Sequence, residues 1–309
     1  MKTYSLFNSN ITSEIELSNI LSSSKKNIDL SIFQVTKSPI TKNFKWFNKI
    51  YYKGKLWISY ASNNHEYCVR YHSTADFKID IERKEISFYK RKSTNLNTLK
   101  HLLNDSIIPL ALSMYDKIFF HASSVKIGKY AVSFQAPSGS GKSTLAAYFS
   151  TKKHTLLTDD SLLLKENKTK IYAYPSYQGI RLWPDNIVNI FNNDIKTKSV
   201  SQFNNKQLIV DNIKFENNIN KPVALKSIYF IYISDHTDIA TISPTEAFSL
   251  IIKNIFRLNF KNRELNKNQF EFINKVLNSV ELYKLNYKKE YESLEILYNL
   301  VTKQTLDKR

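Results

Sequence analysis

The run Phe134-Gln-Ala-Pro-Ser-Gly-Ser-Gly-Lys-Ser-Thr144 decides the fold that this 309-residue sequence predicts. An apolar, strand-like stretch at 130–135 precedes it, and a helical pattern at 142–150 follows it. Glycines allow successive backbone N–H groups to point into one concavity, and the start of the following helix adds the positive end of its dipole. We therefore predict a phosphate-binding loop that consists of Ser138, Gly139, Ser140, Gly141, Lys142, Ser143 and Thr144.

The side chains of this loop predict its ligand. Lys142 would contact the β and γ phosphates of ATP or a close relative, and Ser143 would ligate Mg²⁺. One position departs from the usual G-x-x-x-x-G-K-[ST] pattern, because Ala136 stands where its first glycine is expected. The alternative is an ordinary Gly/Ser turn before a helix, which the Lys-Ser pair and the flanking elements disfavour.

An acidic pair, Asp159 and Asp160, follows Lys142 by 17 and 18 residues, directly after an apolar run at 155–158. In a strand–helix–strand unit with parallel strands, both strand ends open on one edge, so this pair would face the nucleotide phosphates. One carboxylate could then hold Mg²⁺ while the other accepts the proton of an attacking hydroxyl. The alternative is a pair that caps backbone groups in a turn.

Two further residues are candidates, each with a structural alternative. His121, in the strand-like run 118–125, could orient a catalytic carboxylate, although a lone histidine in an apolar strand is more often a core residue. Arg181, in the run 174–185, could bind a phosphate bidentately or form a structural ion pair. The sequence alone leaves both pairs of alternatives open.

Composition narrows the class of protein. The chain has 45 Lys and Arg against 27 Asp and Glu, a net charge of +18. These charges are scattered without a run of five, which is typical of a solvated surface and argues against a nucleic acid partner. Cys68 is the only cysteine, no zinc-like spacing occurs, and no apolar stretch is long enough for a signal peptide or a membrane span. We expect a cytoplasmic protein with no membrane association.

Turn-forming Asn, Ser, Lys and Gly residues separate short strand-like runs up to about residue 92, and we divide the chain into two domains there. We predict a β-rich N-terminal domain over 1–95 and an α/β kinase domain over 96–309. The second would begin with a helical connector at 98–115 that Pro109 kinks or splits. The polar, Asn-rich segment 192–220 predicts a mobile loop or a partner-facing insertion.

With these residues identified, the chain resembles the HPr kinase-related serine kinases, in particular the branch that is similar to peptide-modifying kinases of lasso-peptide-type clusters. Four segments carry the resemblance in order: His121-Ala-Ser-Ser-Val125, Ser138-Gly-Ser-Gly-Lys-Ser-Thr144, Leu156-Leu-Thr-Asp-Asp160 and Ile180-Arg-Leu-Trp-Pro184. The opening runs Tyr4-Ser-Leu-Phe7 and Ser13-Glu-Ile-Glu-Leu17 are also similar to the start of that family's N-terminal region.

The resemblance implies a P-loop HPr kinase-like C-terminal domain that uses ATP and Mg²⁺. It also implies that His121 supports the acidic pair, which would supply the base and a metal ligand. We expect Asp159 to be the base and Asp160, with Ser143, to bind the metal, and the reverse assignment stays open. Ala136 departs from the family pattern, and the Glu-containing Arg-Gly loop of HPr kinases is not recognisable, which argues against HPr itself as the substrate.

The predicted function is therefore a transferase that moves the γ-phosphate of ATP to a serine hydroxyl, on a peptide or small protein. One alternative is a small-molecule hydroxyl kinase, which the long region before the loop disfavours. Another is a non-catalytic nucleotide-binding regulatory module with an acidic partner. A homo-oligomer is compatible with the resemblance, because HPr kinases assemble into rings.

Overall fold

The computed structural model describes residues 1–17, 20–22, 27–63, 65–191, 195–216, 218, 221–257 and 262–307. The chain divides into two compact units. The first unit comprises Met1–Tyr115 and Ser199–Asn204, and the second comprises Asp116–Lys198 and Asn205–Arg309. Together they form a mixed α/β protein with several sheets.

The first unit is built around one nine-stranded sheet. Its strands are β1 Lys2–Leu6, β2 Ser9–Ser13, β3 Leu21–Ser22, β4 Leu30–Gln34, β5 Lys45–Tyr52, β6 Lys55–Asn63, β7 Glu66–Tyr71, β8 Ala75–Asp80 and β9 Glu85–Lys90. The spatial order is β3-β1-β2-β4-β9-β8-β7-β6-β5, so the strands β5 to β9 form a meander of antiparallel hairpins. These nine strands lie in the region that the sequence predicts to be β-rich.

Alternating sequence explains why these strands share one core. In β2 and β9, buried residues alternate with partly exposed ones, which is the period-two pattern of a sheet with one covered face. The fully buried Phe77 and Phe88 are directly paired across β8 and β9, and their ring centroids lie 6.2 Å apart.

A helical segment completes the first unit. It consists of α1 Leu96–Leu102, a π-helical turn Leu103–Ile107, α2 Ile108–Leu112 and a 3₁₀ turn Ser113–Tyr115. Pro109 lies in the first turn of α2 and marks the split that the sequence predicts. The Tyr71 hydroxyl bonds Ser106 at 2.8 Å and the Tyr115 hydroxyl donates to the Ile81 carbonyl at 2.8 Å. These bonds place residues 96–115 with the sheet, so the units divide at 115/116 rather than at 95/96.

The second unit contains eleven further strands and five helices within the described ranges. They are β10 Ile118–Ile127, β11 Tyr130–Gln135, α3 Lys142–Thr151, β12 Thr155–Thr158, β13 Ser161–Asn167, β14 Lys170–Tyr174, β15 Ile180–Leu182, α4 Pro184–Phe191, β16 Thr197–Ser199, β17 Gln207–Ile209, β18 Val223–Ile233, β19 Asp238–Thr241, α5 Pro244–Lys253, α6 Arg263–Ser279, β20 Glu281–Tyr287 and α7 Ser293–Leu306.

Two long strands, β10 and β18, are shared between two sheets. The ends of β10 and β18 that pair with β13 and β14 form one sheet in the order β10-β13-β14-β18. The remaining parts of both strands form a second sheet in the order β12-β10-β11-β18-β20-β19. Because both sheets share these strands, the path β10-β13-β14-β18-β11 closes on itself through the pairing of β11 with β10.

Two apolar layers hold this arrangement. On one face of the second sheet, Phe134 packs against Phe149 of α3, with ring centroids 5.5 Å apart, and α7 contributes Leu297 and Val301. On the opposite face, Phe120 and Ile228 pack with residues of α5 and α6. A helix layer, a sheet, and a second layer of sheet and helices therefore follow one another.

The polar segment 192–220 is more ordered than its composition predicts. Its described part contains β16 and β17, which join β15 in a three-stranded sheet of order β15-β17-β16. Residues 192–194, 217, 219 and 220 lie outside the described residues. Among the described residues, no helix combines the length and the apolar character needed to cross a bilayer.

Asp76 is the electrostatic centre of the first unit. Its buried carboxylate accepts bonds from Arg70 Nε at 2.9 Å, Arg91 at 3.2 Å and the Ser38 hydroxyl at 2.5 Å. We expect Asp76→Ala to destabilise this unit by about 3–5 kcal/mol, because two arginines lose the anion that compensates them. Denaturant unfolding followed by tryptophan fluorescence would measure the loss, since Trp46 and Trp57 lie in this unit.

The matched control is Glu82→Ala, which removes an exposed carboxylate that pairs with His65 at 3.3 Å. We expect this control to change stability by less than about 1 kcal/mol. Equal effects of the two substitutions would show that the Asp76 cluster does not stabilise the unit.

Candidate functional site

The glycine-rich loop adopts backbone conformations that only its glycines accept without strain. Gly139 has φ +85° and Gly141 has φ +94°, both in the left-handed region. A Cβ atom at Gly141 would also collide with the Tyr287 hydroxyl. Ala136 has no positive φ and lies buried in the core beside α3, so alanine suffices at the position where the usual pattern has glycine.

The loop leads directly into α3, whose first residue is Lys142. Gly141 precedes this helix, and its carbonyl accepts the first helical bond from the Leu145 N–H at 2.9 Å. Lys142 is 5% exposed, and its Nζ donates to the carbonyl oxygens of Ala136 at 2.7 Å and Pro137 at 3.3 Å. The ammonium group is therefore held within the curve of the loop.

The acidic pair reaches this loop by a different topology from the one that the sequence suggested. β11 and β12 are parallel to each other, but β10 lies between them and pairs antiparallel with both. The Ala122–Gln135 and Ser124–Thr158 pairings place the carboxyl ends of β11 and β12 at the same edge. The expected position of the acidic pair beside the loop is thus met across an intervening strand.

Asp159 is fully enclosed by protein groups. Its side chain has no exposed surface, and its Oδ2 accepts the Arg181 backbone N–H at 3.0 Å. The Ser123 hydroxyl donates to its backbone carbonyl and lies 3.3 Å from Oδ1, and the Ser143 hydroxyl is close enough to lower its pKa. Asp159 therefore lies close to the start of α3.

Asp160 is the accessible member of the pair, with 24% of its side chain exposed. Its Oδ2 accepts a bond from the Arg181 guanidinium at 2.9 Å, and its Oδ1 lies 4.0 Å from His121 Nε2. The same guanidinium lies 3.4 Å from Asp159 through Nε. Arg181 thus forms the ion pair that was one of its two expected roles, while His121 faces the acidic pair instead of being sealed in the core.

This arrangement shifts the acidities of the two carboxyls in opposite directions. Burial, followed by the charge of Asp160, raises the pKa of Asp159 above its usual value. Burial acts in the same sense on Asp160, but the charge of Arg181, followed by those of His121 and Lys142, outweighs it and holds that pKa below its usual range. Burial also lowers the pKa of His121 and that of Lys142.

A cavity of about 360 Å³ opens over the loop. Most residues of the predicted site line it: His121, Ser138, Gly139, Gly141, Lys142, Ser143, Thr144, Asp160 and Arg181. Asp159 does not line the cavity but lies behind it, in contact with Ser143 and Arg181. The volume suits a nucleotide-sized ligand, because small-molecule sites commonly measure about 300–1,000 Å³.

Several cavity residues gave no signal in the sequence. The Tyr287 hydroxyl at the end of β20 donates to the Ser140 carbonyl at 3.1 Å. On the other side, the Thr144 hydroxyl donates to Asn186 of α4 at 2.8 Å. These contacts join residues that lie far apart in the chain, so local patterns could not predict them. Ser123 was within a motif that the sequence singled out, but nothing there indicated its bond to Asp159.

The donor set at the loop fits a magnesium ion. Within the described residues, no group of three or more His, Cys, Asp or Glu side chains is arranged to hold a metal on its own. Mg²⁺ is usually held by one or two protein oxygens together with substrate phosphates, so the Ser143 hydroxyl in the cavity lining, with the Asp159 carboxylate close behind it, suits this ion.

Comparison with known proteins adds little. No family model matches the chain, and no curated protein matches it. Among solved structures, the Hpr(Ser) kinase/phosphatase from Coxiella burnetii matches 61% of this chain and 96% of its own, with 13% sequence identity and a TM-score of 0.33. A TM-score of this size does not identify a common fold.

Because the pKa of Asp159 is raised and that of Asp160 is lowered, we expect replacement of each carboxyl by an uncharged amide to have opposite effects on stability. Because the pKa of Asp159 is raised in the folded chain, its ionisation costs stability, and this cost is complete above the folded pKa and absent below the unfolded pKa. We expect Asp159→Asn to raise the melting temperature at about pH 8 by roughly 2–4 °C, the shift that about 1 kcal/mol gives in a domain of this size. The gain should shrink as the pH falls through the raised pKa of Asp159 in the folded wild-type chain, because the carboxyl then takes up a proton.

Asp160→Asn is the matched control, with the opposite expected sign. The lowered pKa of Asp160 means that its charge stabilises the fold above the unfolded pKa, and that this stability is lost as the pH falls through the folded pKa. The substitution should therefore lower the melting temperature at about pH 8. Shifts of the same sign in both variants would contradict the assignment of charge within the pair.

Proposed function

We propose that this protein is an ATP-dependent kinase that transfers the γ-phosphate to a hydroxyl group. The observation that carries the proposal is the convergence, in one cavity, of the loop residues Lys142 and Ser143 with Asp160 and His121. A phosphate loop alone serves many kinds of nucleotide-binding protein. A carboxylate that is accessible from the same cavity adds a group that can accept the proton of an acceptor hydroxyl.

The loop and Lys142 would bind the phosphates. The N-terminal end of α3 and the backbone N–H groups of the loop favour a polyanion, and Lys142 adds a charge to the same concavity. Burial already holds Lys142 there, so binding would exchange its bonds to Ala136 and Pro137 for bonds to phosphate oxygens. Phosphoryl transfer depends mainly on such positioning and on electrostatic stabilisation.

Exposure favours the assignment of Asp160 as the base and Asp159 as the metal-side carboxylate, the reverse of the split that we expected from sequence. Asp160 lines the cavity, whereas Asp159 has no exposed surface and lies close to Ser143. Ser143 would hold Mg²⁺ on the cavity side, with the charge of Asp159 behind it, and Mg²⁺ would supply positive charge to the phosphates when it is bound. His121, 4.0 Å from Asp160, would orient that carboxylate as a positioning residue.

We further propose a serine hydroxyl of a peptide or small protein as the acceptor. Support comes from the resemblance of the four sequence segments to HPr kinase-related serine kinases. A small-molecule hydroxyl acceptor is the second candidate, and a panel of both acceptor classes with Mg-ATP would separate them by a phosphate mass shift. If neither acceptor class receives phosphate from labelled ATP, a nucleotide-binding module without transferase activity would be favoured instead.

The loop geometry predicts which variants lose the nucleotide. Lys142→Ala removes the buried ammonium group, and Gly141→Ala adds a Cβ that meets the Tyr287 hydroxyl at a φ that alanine avoids. We expect each to weaken Mg-ATP binding at least about tenfold, as the loss of a charge-assisted bond would. Isothermal titration calorimetry would measure this, with the exposed Lys303→Ala on α7 as the control.

The reversed assignment predicts a separation of binding from transfer. Asp160→Asn should lower kcat by about 10²–10⁴-fold and leave Mg-ATP affinity nearly unchanged, because it removes only a proton acceptor. Asp159→Asn should instead weaken nucleotide binding in a manner that depends on the Mg²⁺ concentration. Undiminished phosphate transfer by Asp160→Asn would exclude Asp160 as the base. Asp159, the base expected from the sequence, would then be the remaining candidate.

A further inference from the structure

The outermost strand of the first unit, β5, differs from the other strands of its sheet. Among the residues that the structure describes, it pairs with β6 alone, at one end of the strand order. All eight of its residues are exposed, including the large side chains Trp46, Phe47, Tyr51 and Tyr52. Exposure of these four ranges from 40% to 61%. This apolar surface belongs to none of the residues that line the cavity of the second unit.

An edge strand presents a row of backbone N–H and C=O groups on the side away from its neighbour. Native proteins usually keep such edges short or cover them. Here the edge is eight residues long, about 27 Å, and carries aromatic rings along its length. A contiguous apolar surface of this kind is typical of an interaction site, and an edge of this kind is typical of docking by an added strand.

The aromatic side chains are supported from the neighbouring strands. Phe47 lies 6.3 Å from Tyr60 and Tyr52 lies 5.9 Å from Trp57, measured between ring centroids. The Arg70 guanidinium lies 5.2 Å from the Trp46 ring centroid. The rings are thus held in place on the sheet while they remain exposed, which limits the entropy that a partner must remove on binding.

Charge identifies the kind of partner. Between Leu30 and His65 the sequence has no Asp or Glu, and it has six lysines, at positions 37, 42, 45, 49, 53 and 55. Lys45 and Lys49 lie on β5 itself, and Lys53 follows it in the turn to β6. A second copy of this chain that paired edge to edge would bring these lysines against each other, which is unfavourable. An acidic strand would instead place carboxylates beside them.

We propose that β5 is a docking edge for an extended polypeptide segment that carries acidic side chains and adds to the sheet as a further strand. Backbone hydrogen bonds to β5 would provide register, its lysines would select Asp and Glu, and its aromatic rings would cover apolar residues of the partner. A polypeptide suits this edge better than a nucleic acid, because only a polypeptide uses the row of backbone groups. The proposal does not depend on the chemistry at the 138–144 loop.

The test uses the full chain and a fluorescent peptide of about ten residues in which Glu alternates with Val and Thr. Fluorescence anisotropy should show saturable binding that is lost when every Glu is replaced by Lys. The double variant Lys45→Glu/Lys49→Glu should bind at least about tenfold more weakly, since it sets like charges opposite each other. Binding should also slow hydrogen exchange of the β5 amides in the wild-type chain.

The matched control is Lys92→Glu/Lys170→Glu, which makes the same change of charge at two exposed positions. Lys92 follows β9, which is four strands away from β5, and Lys170 lies in the second unit. This control should bind as the wild type does. An N-methylated form of the peptide, which cannot donate at alternate backbone positions, should bind at least about tenfold more weakly.

Four results would overturn the proposal. The first is equal affinity of the N-methylated peptide, which would show that no strand pairing occurs. The second is an equal loss of affinity in the two double variants, which would show that peptide binding depends only on the net charge of the chain. The third is a short oligothymidylate that displaces the peptide and binds more tightly, which would indicate that β5 binds nucleic acid. The fourth is a wild-type dimer that Lys45→Glu/Lys49→Glu dissociates, which would make a second copy the occupant.

Discussion

The two adjacent carboxylates of Asp159 and Asp160 are the constraint on which the second unit depends. Their like charges repel each other, and burial adds to the cost of ionising them. Arg181 offsets this repulsion, because its guanidinium contacts both carboxyls while its backbone N–H binds Asp159. Its position is fixed by β15, which pairs through Arg181 and Leu208 with β17. The small three-stranded sheet therefore positions the guanidinium group that offsets this repulsion. Two of its strands, β16 and β17, come from a segment whose polar composition predicts a mobile loop.

The bent strand β10 explains how the other parts of the site meet. Its first half pairs with β13 and its second half with β11 and β12, so the chain passes from one sheet to the other at residues 121–124. His121 lies at this crossing beside Asp160, and Ser123 bonds Asp159 two residues later. A single strand thus provides the histidine beside Asp160 and a hydrogen-bond donor to Asp159. Burial of the surrounding strands, rather than any flexible loop, fixes the distances between them.

Sequence reasoning succeeded where the signal was local. The loop, the helix that follows it, the hairpin of β13 and β14 and the spacing to the acidic pair are all properties of neighbouring residues. It failed where the answer depended on contacts between distant residues. Nothing near Tyr287 indicates that its hydroxyl limits the space at Gly141, and the insertion of β10 between β11 and β12 leaves no pattern in either strand. The ion pairs of Arg181 and the different exposure of the two aspartates also needed the structure, because adjacent identical residues give no local signal that distinguishes them.

The charges around the cavity indicate why a phosphate ligand would need a metal ion there. Four cationic and three anionic side chains line the cavity: Lys142, Arg181, Lys206 and Lys289 against Asp160, Asp185 and Glu290. Asp159 lies just behind this lining, and Arg181 is already engaged by both carboxyls. The side chains therefore nearly neutralise one another and leave little charge for a nucleotide triphosphate. The loop amides and the helix end supply only partial charges. A divalent cation held at Ser143, with the buried carboxylate of Asp159 behind it, would supply the remainder, so the net charge of +18 over the whole chain is a poor guide to the field within this site.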